Sequence, residues 1–156
     1  MTISRILVPV EYSDACRAAL EYAGGLAERL GASIDVLHVW ERPSFVPENL
    51  VVAEPGQAAR SLIEMIREGA QREMDGFLAK AKLPPSVRLE QHLSSGEPTH
   101  AILDFVAKHV PDAIVMSTHG RTALRHLLLG SVTERVVRLS PVPVITVPIR
   151  ALQASS

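Results

Sequence analysis

One stretch, Ser117 to Ser131 (STHGRTALRHLLLGS), concentrates the residue types that could hold an anion. Gly120 and Gly130 bound nine residues, and a glycine at either place can supply a positive φ or a closeness that a Cβ would block. Before the stretch runs Ala113-Ile114-Val115-Met116, short and apolar, the pattern of a buried strand. After it, Ser131-Val132-Thr133-Glu134 reads as a capping box, followed by Val136, Val137 and Leu139 at helical spacing. Strand, loop and helix N-terminus together make an anion site, because first-turn N–H groups have no intrahelical acceptor and the helix dipole favours negative charge there. The N–H groups of Ser131 and Val132 and the Ser131 hydroxyl are the candidate donors. Arg121 and Arg125, with His119 and His126, make the loop basic enough to neutralise a polyphosphate. Ser131 could instead only cap its own helix with Glu134, and the two roles are compatible only if the cap leaves donors free.

Other chemistries find less support. No Gly-x-x-x-x-Gly-Lys-Ser/Thr occurs, since Leu127-Leu128-Leu129 precede Gly130 and no lysine separates it from Ser131; nor does Gly-x-Gly-x-x-Gly follow the first strand. ATP hydrolysis by the P-loop route is therefore not expected. Glu11 or His119 would be the base of a slow nucleotide hydrolase, but no orienting partner for either can be picked out. The histidines at 38, 92, 100, 109, 119 and 126 fall in no ligand spacing with one another or with Cys16, so no metal is assigned. Cys16, alone, cannot form an intramolecular disulfide and is expected as a small buried side chain on the first helix.

The elements that must position these residues follow from periodicity. A chain of 156 residues fits one domain, expected over residues 1–148, with 149–156 as a short flexible tail. A net charge of -1 and only 4% aromatic residues give no pull toward nucleic acid or an anionic membrane. Met1 to Val10 enters a strand without the features of a signal peptide, and Pro141 to Ile149, with three prolines, is too short to span a bilayer, so a cytoplasmic protein is expected.

Ile6 to Val10 reads as the first strand, Ser13 as the N-cap of a helix through Leu30, and Ile34 to Val39 as a second strand with Asp35 and His38 near the sheet surface. Residues 41–57, rich in proline, form an extended loop that could pack locally or cover a ligand. A helix over about residues 58–82 precedes a half-exposed edge strand from Val87 to Leu93. A helix from Pro98 to Val110, the strand at Ala113, the helix from Ser131 and a last strand within Val142 to Val147 complete the chain; Pro143 puts that strand at an edge. The alternation predicts a three-layer α/β domain: a five-stranded parallel sheet with helices on both faces, its ligand crevice at the strands' carboxyl ends. Pro9 to Ser13 and Ser117 to Ser131 would flank that crevice.

The segment THGRTALRHLLLGSVTERVVRLSPVPVITVP resembles the C-terminal signature of the universal stress protein family, and RILVPVEYSDACRAALEYA resembles its N-terminal strand and first helix. The likeness runs over nearly the whole chain, Ser95-Gly96-Glu97-Pro98 included. It implies a flavodoxin-like, Rossmann-like sheet of order 3-2-1-4-5 and a homodimer joined through the last strand, Val142 to Val147. In the nucleotide-binding branch the motif is Gly, two residues, Gly, nine residues, then Gly and Ser or Thr; here Gly120, Gly130 and Ser131 match and Ser117 replaces the first glycine. A serine fits there if φ is negative and costs roughly 1 kcal/mol if φ is positive. The family's aspartate after the first strand is Glu11. The resemblance implies adenine near Val39 and the Pro9-Val10-Glu11 turn, with Met116, Ser117 and His119 alongside, and phosphates at Gly120, Arg121, Gly130, Ser131 and Val132. It implies a stress-response regulator that binds ATP or another adenine nucleotide, with Mg²⁺ an accompaniment that no carboxylate pair compels, and an unidentified protein partner. A dimeric interaction module with a degenerate pocket is the alternative within the same family.

Overall fold

The apolar run after Arg5 is continuous because it lies at the centre of a parallel sheet, covered from both sides. The computed structural model describes residues 2–40, 47, 50–53, 55–56, 58–118 and 130–148. Its elements are β1 (Arg5–Val10), α1 (Asp14–Leu30), β2 (Ser33–Trp40), β3 (Val51–Val52), β4 (Arg60–Ser61), α2 (Leu62–Leu78), β5 (Leu89–Ser95), α3 (Pro98–His109), β6 (Ala113–Ser117), α4 (Ser131–Leu139) and β7 (Val144–Val147). Five strands form one parallel sheet in the order β5-β2-β1-β6-β7, which is 3-2-1-4-5 when its strands alone are counted.

Side chains alternate across this sheet and build two cores. Ile6, Val8, Val10, Ile34 and Val36 meet Ala19, Leu20 and Ala23 of α1 and Met74 and Phe77 of α2. Leu7, Leu37, Ile114 and Met116 meet Ile102, Phe105 and Val106 of α3 and Val136 of α4. Helix α1 begins where the Ser13 side chain accepts the Cys16 N–H, 3.2 Å, and stops at Gly31, whose φ of 67° suits a residue without a Cβ. No helix among the described residues is long and apolar enough to cross a membrane.

Several boundaries differ from those read in the sequence. Within the loop expected at 41–57 the described residues include β3, which pairs antiparallel with β4, so α2 starts at Leu62 rather than near residue 58. Strand β5 runs from Leu89 to Ser95 rather than from Val87 to Leu93, because its register is set by β2, Ile34 opposite Leu89 through Trp40 opposite Ser95. Pro143 precedes β7, and its carbonyl accepts the Ile114 N–H at 2.9 Å. Asp35 does not approach the surface: it is 2% exposed and held by Arg5 and His92. The expected tail at 149–156 lies outside the described residues.

Candidate functional site

The sheet opens where its strand order reverses. Strand β1 is paired with β2 along its whole length, to Val10 opposite His38, but with β6 only at Ile6–Ala113 and Leu7–Ile114. Val8, Pro9 and Val10 therefore have no β6 partners, and Pro9, which lacks an N–H, stands in the central strand beyond the last of those rungs. On the far side of the gap, Val115 to Ser117 pair with β7 alone. A cleft of about 720 Å³, counting space open to solvent, occupies this crevice. Pro9, Val10 and Glu11 form one wall, Val39 another, Met116 and Ser117 a third, and Gly130, Ser131 and Val132 close it. Nine residues expected from the sequence are thus brought together; His119, Gly120 and Arg121, like Arg125 and His126, lie outside the described residues.

The closing wall is the N-terminus of α4. Its N-cap is Gly130, with φ −67° and ψ 151°, which has no side chain with which to cap the helix. The expected capping box is not formed: Ser131 is the first helical residue, one place too late to be the cap, and the Glu134 carboxylate faces Arg138 at 3.8 Å. The first intrahelical bond runs from the Glu134 N–H to the Gly130 carbonyl at 2.8 Å. The N–H groups of Ser131, Val132 and Thr133 precede that bond and belong to the turn whose donors have no acceptor within the helix. An anion here gains typically 0.3–1 kcal/mol from the helix dipole, and up to about 2 when partly buried.

Hydrogen bonds at both ends of the loop hold this terminus against β6. The Gly130 N–H donates to the Thr118 carbonyl at 2.7 Å, and the Thr133 hydroxyl to the Ser117 carbonyl at 3.0 Å. Ser117 itself continues β6, and among the described non-glycine residues only Tyr12 and Val110 have positive φ. Serine therefore occupies the glycine position of the motif without backbone strain. Its hydroxyl, buried in the cleft, lies 3.5 Å from the Cys16 thiol.

The same cleft also holds a carboxylate residue. Glu11 is one of the residues lining the cleft, and its Oε1 is closed off from solvent and without a hydrogen-bond partner. Leaving a buried polar atom unmatched costs roughly 1–3 kcal/mol, more when it is charged. The cleft thus combines a backbone donor cluster for an anion with a carboxylate for an N–H or O–H donor, while Val10, Leu37, Val39, Ile102 and Met116 give it apolar surface. Leu37, Cys16, Pro98, Ile102 and Thr133 were not expected at the cleft. Leu37 was accessible from strand alternation, two residues before Val39 on the same face; the α3 residues were not, because only the tertiary fold brings that helix over β2.

Among the described residues the one acid buried as a whole, Asp35, is paired. Asp35 accepts from Arg5 Nε and Nη2 and from His92 Nε2, the last at 2.9 Å. Burial pushes its carboxyl up, but those hydrogen bonds and the neighbouring charges outweigh that and hold it below the usual carboxylate range. Asp35, Glu90 and His92 have ligand-type atoms within 4.8 Å of one another. Arg5 already supplies the cation there, which makes the cluster a structural ion pair at the edge of the sheet.

Comparison with known proteins agrees with this architecture. The family model described as the universal stress protein family matches residues 2–148. The chain is 31% identical over 146 residues to universal stress protein MJ0531 of Methanocaldococcus jannaschii, covering 92% of this chain and 81% of that one. It is 30% identical to universal stress protein YxiE of Bacillus subtilis, covering 92% and 98%. Among solved structures, universal stress protein UspA from Lactobacillus plantarum superposes with a TM-score of 0.66 at 28% identity, covering 94% and 99%. A universal stress protein solved with cAMP (TM-score 0.62, 21% identity, covering 95% and 98%) and one from Archaeoglobus fulgidus solved with dAMP (0.57, 23%, covering 94% and 98%) share the fold. The match over nearly the whole chain, on a sheet of order 3-2-1-4-5 that opens between its first and fourth strands, makes this chain a member of the universal stress protein family.

Proposed function

We propose that the cleft binds an adenine nucleotide, ATP being the first candidate, and that the protein acts as a nucleotide-responsive regulator in stress response. The observation that carries this reading is the placement of a helix N-terminus with a glycine N-cap, and of the carboxylate residue Glu11, in one cleft. A nucleotide satisfies both at once, with phosphate oxygens on the Ser131 and Val132 N–H groups and a ribose hydroxyl or adenine amine on Glu11. Val39, Val10 and Leu37 offer the apolar surface that a base needs. That family members have been solved with cAMP and with dAMP supports an adenine ligand. His119, Gly120 and Arg121 would add phosphate contacts.

The alternative of a degenerate interaction module drew its strength from Ser117, and the ordinary backbone geometry there removes that argument. Dimerisation through β7 remains part of the proposal: β7 is an edge strand with Val144 and Ile145 half-buried. Light scattering on the purified protein should then give twice the chain mass.

The primary test is to denature freshly purified protein, chromatograph what it releases, and titrate the apo protein with ATP, with and without Mg²⁺. Released or micromolar-binding adenine nucleotide is expected. No release and no binding by the wild-type protein would reject the reading in favour of the interaction module. The arms with and without Mg²⁺ decide whether the ion accompanies the phosphates.

A further inference from the structure

Glu11 sits between two anchored neighbours. The Val10 carbonyl accepts a hydrogen bond from His38 Nδ1 at 2.9 Å, and because a carbonyl can only accept, that nitrogen carries the proton. On the other side, the Tyr12 ring stacks on the His38 ring, centroids 4.1 Å apart and planes 25° from parallel, and tilts against Phe77 at 5.5 Å. The Tyr12 hydroxyl reaches across to donate to the Ala70 carbonyl of α2 at 3.2 Å. Tyr12 belongs to the core beneath α1 and α2, whereas Glu11 lines the cleft beside α3 and α4, so consecutive side chains pass to opposite faces at the end of the sheet.

The backbone makes this arrangement costly. Tyr12 has φ 66°, a left-handed conformation that disfavours a bulky side chain and that glycine adopts freely. If the turn only had to reverse the chain, glycine would serve better. A tyrosine persists in such a conformation only where its surroundings over-determine it, and here the His38 stack, the Phe77 contact and the Ala70 hydrogen bond do so.

We propose that Tyr12, clamped on His38, is a positioning residue for ligand recognition: it fixes the turn so that the Glu11 carboxylate is aimed into the cleft, ready for a hydrogen-bond donor of the bound nucleotide. The proposal rests on the reading of the cleft as a nucleotide site. It assigns the α2 side of the molecule a part in affinity, although its side chains do not touch the ligand. A carboxylate held in place binds more tightly than one that must be ordered on binding, because side-chain entropy is lost beforehand.

The test is a double-mutant cycle read by ATP titration calorimetry, with thermal unfolding measured in parallel. Tyr12→Gly removes the ring while relieving the positive φ, and Tyr12→Phe keeps the ring; each is made with Glu11 and with Glu11→Gln. Tyr12→Gly is expected to weaken ATP about tenfold when Glu11 is present and to add no loss to Glu11→Gln, with Tyr12→Phe close to wild type. Should Tyr12→Gly not fold, Tyr12→Asn, which also tolerates the left-handed region, takes its place in the cycle. A lowered melting temperature with unchanged affinity, or the same fold-loss with and without Glu11, would make Tyr12 merely structural and overturn the proposal. Wild-type protein that binds no adenine nucleotide would instead reject the reading of the cleft, and this proposal with it.

Discussion

Helices α3 and α4 lie on the same face of the sheet and both begin near the cleft, yet their first turns are completed differently. At α3 the Glu97 side chain accepts the His100 N–H at 2.8 Å, Pro98 opens the helix, and Arg135 of α4 stands 3.7 Å from the same carboxylate. At α4 the corresponding residue is Gly130, which has no side chain to offer. One terminus carries its own anion, and at the other the N-cap residue supplies none. Both helices have a dipole, so what sets the proposed anion site at α4 apart from α3 is that its N-cap residue brings no acceptor of its own. It also explains why the two share a cleft without competing: Pro98 and Ile102 give α3 an apolar role there, and Ser131 and Val132 give α4 a polar one.

Gly130→Asp would convert α4 into a copy of α3. The N-cap backbone already has the extended geometry an aspartate cap needs, so thermal stability should hold or rise by a few tenths of a kcal/mol, while ATP affinity should fall at least about a hundredfold. Calorimetry and thermal unfolding on one sample check both signs, and retained binding would end the comparison. Glu11→Gln removes the negative charge from the opposite wall and keeps its volume; ATP should bind about tenfold, or 1.4 kcal/mol, more weakly with little change in melting temperature. Glu97→Ala opens α3 as α4 is open. It should cost about 1 kcal/mol, a drop of roughly 2–4 °C in melting temperature, and leave ATP affinity within about twofold.

The smallest effect is one of acidity. The His100 backbone N–H, together with Thr99, holds the Glu97 carboxyl below its ordinary value of 4.5. Its contribution to stability is therefore complete above that value and lost as pH falls through the lowered one. Denaturant unfolding of wild type against Glu97→Gln should show the difference between them shrinking below about pH 4.5, and a constant difference across that range would remove the charged cap from the account.

What the sequence revealed of this contrast depended on how local each signal was. Gly130 and its neighbours were found because strand, glycine and helix onset lie within a few consecutive residues. The cap was misplaced by one position, since Ser-x-x-Glu satisfies the capping-box pattern in sequence, whereas the helix takes Gly130 as its N-cap and Ser131 as its first residue. Glu97 went unnoticed as a cap because Ser, Thr, Asp and Asn lead that position. Asp35 was misjudged for a different reason: its partners Arg5 and His92 are 30 and 57 residues away, and no reading of neighbours supplies them. The strand order could be taken from resemblance, whereas the place where β1 and β6 part is a matter of register.

The clasp between the Thr118 carbonyl and the Gly130 N–H separates what the fold must keep from what selection can alter. The two ends of that clasp are held in place by the sheet and α4, and doubling the length of a loop closed by such a pair raises the closure cost by only about 0.6 kcal/mol. A family could diversify its chemical vocabulary here without renegotiating its stability.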